Sequence, residues 1–285
     1  MTTGTKEESA VATAALAGNH GFSLISNEKL LQLYASMVKC RMIEERLRLL
    51  SDQLTPEDDN RASIIHEAAV VGAAIDLLPE DTVAPSLLDS IIKSLPLSSI
   101  SSSLFDGTLT PKVAAGLTGQ LTSATVVAQR NKMKKDGSIV AVFRDGETAS
   151  IESWNQALRL ADAEQLPMLF VNYSTALAEN LDARAGVDES AAWPHGFPSI
   201  PVDVNDVVAV YRVATEAIIH ARKGNGATSI ECVTRHCGDH SEIDSILKME
   251  AYLTRKGLFT EAVKHEVATG LRRELDAVIA AAAAG

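Results

Sequence analysis

Between Ser138 and Thr175 the chain reads SIVAVFRDGETASIESWNQALRLADAEQLPMLFVNYST, two short apolar runs flanking a segment of helical composition. The run from Ser138 to Phe143 is rich in β-branched residues and stops at Arg144-Asp145-Gly146, which predicts a buried strand ending in a turn. From about 150 to 164, Ile151, Trp154, Leu158 and Ala161 recur at three- and four-residue spacing, as on one face of a helix. Leu166-Pro167 ends that helix, because a residue before proline is pushed out of the α region. Met168 to Val171 is a second continuous apolar run and predicts a second buried strand. Strand, helix and strand of these lengths make a right-handed βαβ unit. Ligands of such sheets lie at the carboxyl ends of the strands, here Asp145-Gly146 and the corner from Asn172 to Thr175.

An acidic residue at one strand end and oxygen-bearing side chains at the next can hold a divalent cation between them. Mg²⁺ in particular takes a few hard oxygens together with phosphate oxygens. Asp145, Asn172 and Thr175 are the candidate ligands. An Asp-Gly pair is also the ordinary chemistry of a turn, so at this level both readings of Asp145 stand.

With 285 residues, 46% hydrophobic and 22% charged, the chain can bury a full core. No composition shift or internal repeat divides it. Residues 1–22 are small and polar without the pattern of a secretion signal, and read as a loose tail before a single domain over 23–285. A net charge of −11 with no basic stripe argues against nucleic acid and anionic membranes as partners. No apolar run approaches the roughly 18 residues of a membrane span. Cys40, Cys232 and Cys237 form no CxxC pair and read as reduced thiols of a cytoplasmic protein.

In chain order, Ser26 is placed to cap a long helix to about Leu50, with Leu31, Tyr34, Val38 and Met42 on its inner face. Arg41, Glu44, Glu45, Arg46 and Arg48 read as a solvated face. A second helix spans 64–78; its His66-Glu67 lacks the second histidine of a metalloprotease motif. A short extended piece follows Leu78-Pro79, and another helix opens at Gly116 and ends in the basic run Lys132–Lys135. After Thr175 the sequence is irregular to Pro201, and the stretch from Val202 to Asp206 reads as a strand end and helix cap. A helix over 207–222 and a strand over 228–234 follow, the strand delivering His240 and Ser241 towards the same edge as Asp145. A final helix from about Thr260 carries Val263, Val267, Leu271, Leu275 and Val278 on one face. Alternating helices and buried strands predict a three-layer α/β/α domain on a mainly parallel sheet.

Six stretches in order, LLQLYASMVKCRMIEERLRLL, HEAAVVGAAIDLLPEDTVAPS, AVFRDGETAS, LPMLFV, VDVNDVVAVYRVATEAIIHARKGNGATSIECVTRHCGDHS and AYLTRKGLFTEA, resemble the α subunit of the thiamine-diphosphate-dependent 2-oxo acid dehydrogenases. The resemblance covers about residues 24–275. It implies a thiamine-diphosphate-binding fold and an assembly in which the α chain grips Mg²⁺ and the diphosphate. A β-type partner would supply the glutamate that activates the cofactor. The activity implied is oxidative decarboxylation of a 2-oxo acid with transfer of the acyl group to a lipoyl carrier. Residue by residue, Asp145 and Gly146 match the last two positions of the family's Gly-Asp-Gly, which holds Mg²⁺. His240 and Ser241 match the His-Ser beside the diphosphate.

The departures from the family pattern are specific. Arg144 replaces the first glycine, and its guanidinium would either pair with Asp145 or crowd the approach of the diphosphate. The family's Asn-Asn falls on Ser174-Thr175, with Asn172 a substitute only if the loop shifts. Leu87-Leu88-Asp89-Ser90 stands where the family has Tyr-Arg-x-His. A glycine-rich segment before Gly116 and an acidic-proline loop after Ser241 are cut short. Each lost charge-assisted hydrogen bond is worth about 1–3 kcal/mol, so four losses amount to several orders of magnitude in affinity. Two readings therefore stay open from sequence. One is an active α-type subunit paired with a β-type chain. The other is a paralogue that keeps the fold and an oligomeric interface, with a β-type chain or a second copy, but does not bind the cofactor. The 2-oxo acid is not legible in either case.

Overall fold

The computed structural model describes residues 25–54, 66–95, 100, 104, 117–145, 151–173, 199–233 and 244–284. Five strands form one parallel sheet: β1 (Thr82–Ala84), β2 (Val140–Asp145), β3 (Met168–Tyr173), β4 (Ser199–Asp203) and β5 (Thr228–Val233). Their spatial order is β1-β2-β3-β5-β4. The helices are α1 (Asn27–Leu54), α2 (Glu67–Ala74), α3 (Ser86–Lys93), α4 (Leu117–Lys134), α5 (Ile151–Ala163), α6 (Val207–Arg222), α7 (Ser245–Arg255) and α8 (Glu261–Ala284).

The two faces of the sheet bury two separate cores. On one face Phe143, Val171, Tyr173, Ile230 and Val202 pack against α1, α2, α6 and α7. On the other, Val140, Val142, Met168 and Phe170 meet Trp154, Leu158 and Ala161 of α5 and Leu121, Ala124 and Ala128 of α4. Side chains alternate across each strand, so a strand buried on both faces must be apolar nearly throughout. This is the three-layer α/β/α arrangement that the sequence predicts.

The crossover from β2 to β3 passes through α5 on one face; that from β4 back to β5 passes through α6 on the other. Right-handed crossovers in opposite directions along a sheet require this change of face. The reversal falls between β3 and β5, which makes their carboxyl ends the switch point where α/β sheets receive ligands.

Several boundaries differ from expectation. β2 continues through Arg144 and Asp145 instead of stopping before them, and β3 runs on to Tyr173. Pairing with a neighbouring strand carried both past the point where apolar composition ends. The long helix is capped as expected, the Lys29 amide donating to Ser26 Oγ at 3.1 Å. Its buried face, however, is Leu30, Leu33, Tyr34, Met37, Cys40 and Ile43, with Leu31, Val38 and Met42 at the margin. The expected solvated face is also corrected: Glu44 is buried and Arg41 is drawn into ion pairs. Within α5, Trp154, Leu158 and Ala161 are buried, while Ile151 is 40% exposed in the first turn. α7 is a helix that sequence patterning left undivided from its surroundings, and β4 begins at Ser199, within the stretch read as irregular.

Helix α2 is buried on every side and crosses α6 closely. A Cβ on Gly72 would lie 2.8 Å from Val210 Cβ and 3.0 Å from the Val207 carbonyl oxygen. Only glycine permits that approach, and it is what lets the short helix fill the space between α1 and the sheet.

Candidate active-site edge

The sequence places its candidate ligands at the tips of two strands, and the structure makes those strands neighbours. β2 and β3 pair in parallel with Arg144 opposite Asn172 and Asp145 opposite Tyr173. The tip bearing Asp145 therefore lies beside the chain leading into Ser174-Thr175. On its other side β3 pairs with β5, Asn172 standing opposite Glu231 and Tyr173 opposite Cys232. Three strand ends thus converge at the switch point.

One residue short of the tips, a polar row crosses the sheet. Arg144 Nη1 donates to Asn172 Oδ1 at 3.3 Å, and Asn172 Nδ2 donates to Glu231 Oε2 at 2.7 Å. Ser229 Oγ donates to the other carboxyl oxygen of Glu231 at 2.7 Å. All four residues are buried, with Glu231 only 8% exposed. Removal from water pushes the Glu231 carboxyl up to about 7, against the lowering effects of Asn172, Ser229 and the Arg144 charge. The guanidinium carbon of Arg144 also lies 5.7 Å from the centre of the Trp154 ring, within cation–π range. Asn172, offered from sequence as a metal ligand, is thus within β3, its carboxamide engaged by Arg144 and Glu231.

The described contacts of Arg144 run along the sheet and onto α5, so its charge has a partner and a platform there. Asp89 forms an ion pair with Lys93 one turn along α3 at 2.8 Å. Leu88 is buried in the core.

One further group reaches the tips, and a charged cluster lies next to it in sequence. His66 precedes α2, and its ring meets that of Tyr173 edge-on at 5.4 Å. Arg41 of α1 grips Asp244 with both terminal nitrogens, at 2.7 and 3.2 Å, and also pairs with Glu67. Ser245 Oγ donates to the same Glu67 oxygen at 2.6 Å. Asp244 caps α7 by accepting from the Ile246 and Leu247 amides. Burial pushes the Asp244 carboxyl up, but the bond and charge of Arg41 and the two amides outweigh it and hold it below the ordinary carboxylate range. This cluster fixes the start of α7 against α1 and α2.

Gly146, Ser174, Thr175, Cys237, His240 and Ser241 lie outside the described residues, and Asp145 is described by its backbone. Among the described residues no group of His, Cys, Asp and Glu is arranged to hold a metal ion. Glu231 escaped sequence reasoning as a site neighbour, and Arg41 as an anchor of α7. For Glu231 a signal was present: a charged residue between Ile230 and Cys232, in a strand otherwise fit for burial. For Arg41 there was none, because its partners are 26 and 203 residues away.

The arrangement defines an α/β protein on a parallel sheet in which the carboxyl ends of β2, β3 and β5 lie side by side. Comparison with known proteins specifies it further. The dehydrogenase E1 component family matches residues 108–275. The pyruvate dehydrogenase E1 component subunit alpha of Staphylococcus epidermidis is 26% identical over 295 residues, spanning 90% of this chain and 78% of the relative. That of Staphylococcus aureus is 25% identical over the same shares. The 3-methyl-2-oxobutanoate dehydrogenase subunit alpha of Mycobacterium tuberculosis is 32% identical over 181 residues, 54% of this chain and 48% of the relative. The chain belongs to the dehydrogenase E1 component family and is of its α type. That family depends on thiamine diphosphate.

Proposed function

We propose that the chain is the α-type subunit of a thiamine-diphosphate-dependent 2-oxo acid dehydrogenase, acting with a β-type partner. Together they would decarboxylate a 2-oxo acid oxidatively and pass the acyl group to a lipoyl carrier. The observation that carries this reading is the family match combined with the pairing of the β2 and β3 tips at the switch point of the sheet.

The cofactor's diphosphate end is assigned to residues that match the family pattern in sequence. Asp145, with Thr175 next along the corner after β3, would hold Mg²⁺; Gly146, His240 and Ser241 would meet the diphosphate. Two charged departures from the family pattern have partners within this chain. Arg144 bonds to Asn172 and stacks near Trp154, and Asp89 is paired with Lys93. Thiamine diphosphate supplies the stabilised carbanion on which 2-oxo acid decarboxylation depends. This chain's part is to bind the anionic end and orient it, in keeping with anion binding at strand ends and helix N-termini. The glutamate that activates the cofactor would come from the partner. The soluble compartment of the cell fits the thiol content, and no helix among the described residues is long and apolar enough to cross a membrane.

Isothermal calorimetry with thiamine diphosphate and Mg²⁺, on the chain alone and with a co-expressed β-type subunit, tests the reading. Saturable, Mg²⁺-dependent heat in the assembly is expected, lost in Asp145→Ala. Silence in both arms removes cofactor chemistry from this chain.

A further inference from the structure

We propose that Arg144, Asn172 and Glu231 act as positioning residues that hold the β2, β3 and β5 tips in register, and so set the grip on the cofactor's metal–diphosphate end; this rests on the function proposed above.

The three residues stand opposite one another on adjacent strands. Their side chains are joined in one direction, guanidinium to amide oxygen at 3.3 Å and amide nitrogen to carboxyl at 2.7 Å. The Asn172 amide offers an acceptor to the cation and a donor to the carboxyl at once, from separate atoms. Asn172 therefore couples two groups of opposite sign across the strand that separates them. A buried charge without a partner is costly, so each end of the row keeps the other in place. The row is also placed to matter. Arg144 is covalently next to Asp145, and Asn172 is two residues before Ser174-Thr175. Backbone pairing alone permits the last residues of parallel strands to fray, whereas side chains locked across three strands do not. Catalytic and binding groups lose affinity steeply when displaced by about an ångström, which makes a rigid support immediately behind them effective. The substitution of glycine by arginine within the family's Gly-Asp-Gly thus has an answer in the same chain: a carboxyl two strands away and an amide between them.

The test compares Glu231→Ala, which removes the acceptor, with Glu231→Gln, which retains a hydrogen-bonding group for Asn172 while Ser229 can turn its hydroxyl to accept. Two readouts are taken on the full chain with its β-type partner. The affinity for thiamine diphosphate with Mg²⁺ is expected to fall at least tenfold in the alanine variant and to stay within threefold of wild type in the glutamine variant, both remaining folded by circular dichroism. Amide hydrogen exchange of the unliganded protein is expected to quicken at residues 143–145 and 171–173 in the alanine variant and to stay unchanged in β1. Unchanged exchange at those tips overturns the positioning role whatever the cofactor does. So does unchanged affinity in a wild type that binds. Faster exchange in a protein whose wild type binds no cofactor keeps the row as a support of the tips but overturns its role in the grip, and with it the proposed function.

Discussion

Glu231 shows how much one buried carboxyl can decide. Its ordinary value is 4.5 and its value in the fold is about 7. Between those limits the folded chain holds more protons than the unfolded one, so stability falls as pH rises through the window and the penalty is complete above about pH 7. A shift of that size corresponds to about 3 kcal/mol. Glu231→Gln has no proton to lose. The melting temperature of that variant relative to wild type is therefore expected to rise from pH 5 to pH 8 in paired thermal scans. A constant difference across the range would show that the carboxyl is already ionised in the fold. At this scale the sequence was half legible. An arginine in place of glycine stood out, whereas the glutamate in an apolar strand passed unread although its signal was present. Their connection through Asn172 did not stand out, because parallel register is set by the whole sheet and not by any local signal.

At the scale of elements, one ion pair with a buried carboxylate ties the start of the sheet to a helix. Asp81, just before β1, has a side chain wholly removed from solvent. It accepts from the Leu78 and Ile139 amides at 2.7 and 2.9 Å, and from both terminal nitrogens of Arg222 at the end of α6. One carboxylate thereby joins the edge strand, the start of β2 and a helix of the opposite layer. Removing one partner of such a pair costs about 3–5 kcal/mol because the other is left buried and charged. Asp81→Ala is expected to lose that much in urea unfolding. A double variant Asp81→Ala/Arg222→Met should recover part of the loss, since no lone cation remains. Equal losses in the single and double variants would mean that the amide bonds, and not the pair, carry the effect. Element types were well predicted here: α6 spans Val207–Arg222 as read, with Asp206 capping it through the Ala209 amide. Boundaries fared worse where tertiary pairing overrode composition, as at the ends of β2 and β3. In α1 the buried face is displaced from the predicted one, because the curved surface of neighbours selects which apolar residues turn inward.

Over the whole molecule the thiols report on integrity. Cys40 lies in α1 and Cys232 in β5, both buried and unpaired. Burial pushes each thiol well above its ordinary value, with neighbouring carboxylates adding to the effect. Reactive thiolate is therefore suppressed as well as shielded. With iodoacetamide at pH 8, both are expected to stay unlabelled in the native protein and to label together in denaturant, as read by peptide mass spectrometry. Labelling of Cys232 alone under native conditions would show that β5 opens separately from the helical layer. That would set the end of the sheet nearest the candidate site apart as an independent unit.

The sequence by itself determined the layers, the alternation of strand and helix, and the strand tips on which the site is built. Those follow from hydrophobic period, caps and breakers, which act over a few residues. The order β1-β2-β3-β5-β4, the partnership of Arg41 with Asp244 and the row from Arg144 to Glu231 were decided only in three dimensions. They bring together residues tens to hundreds of positions apart, and what selects them is the joint need to bury two faces of one sheet and to pair every charge buried with it.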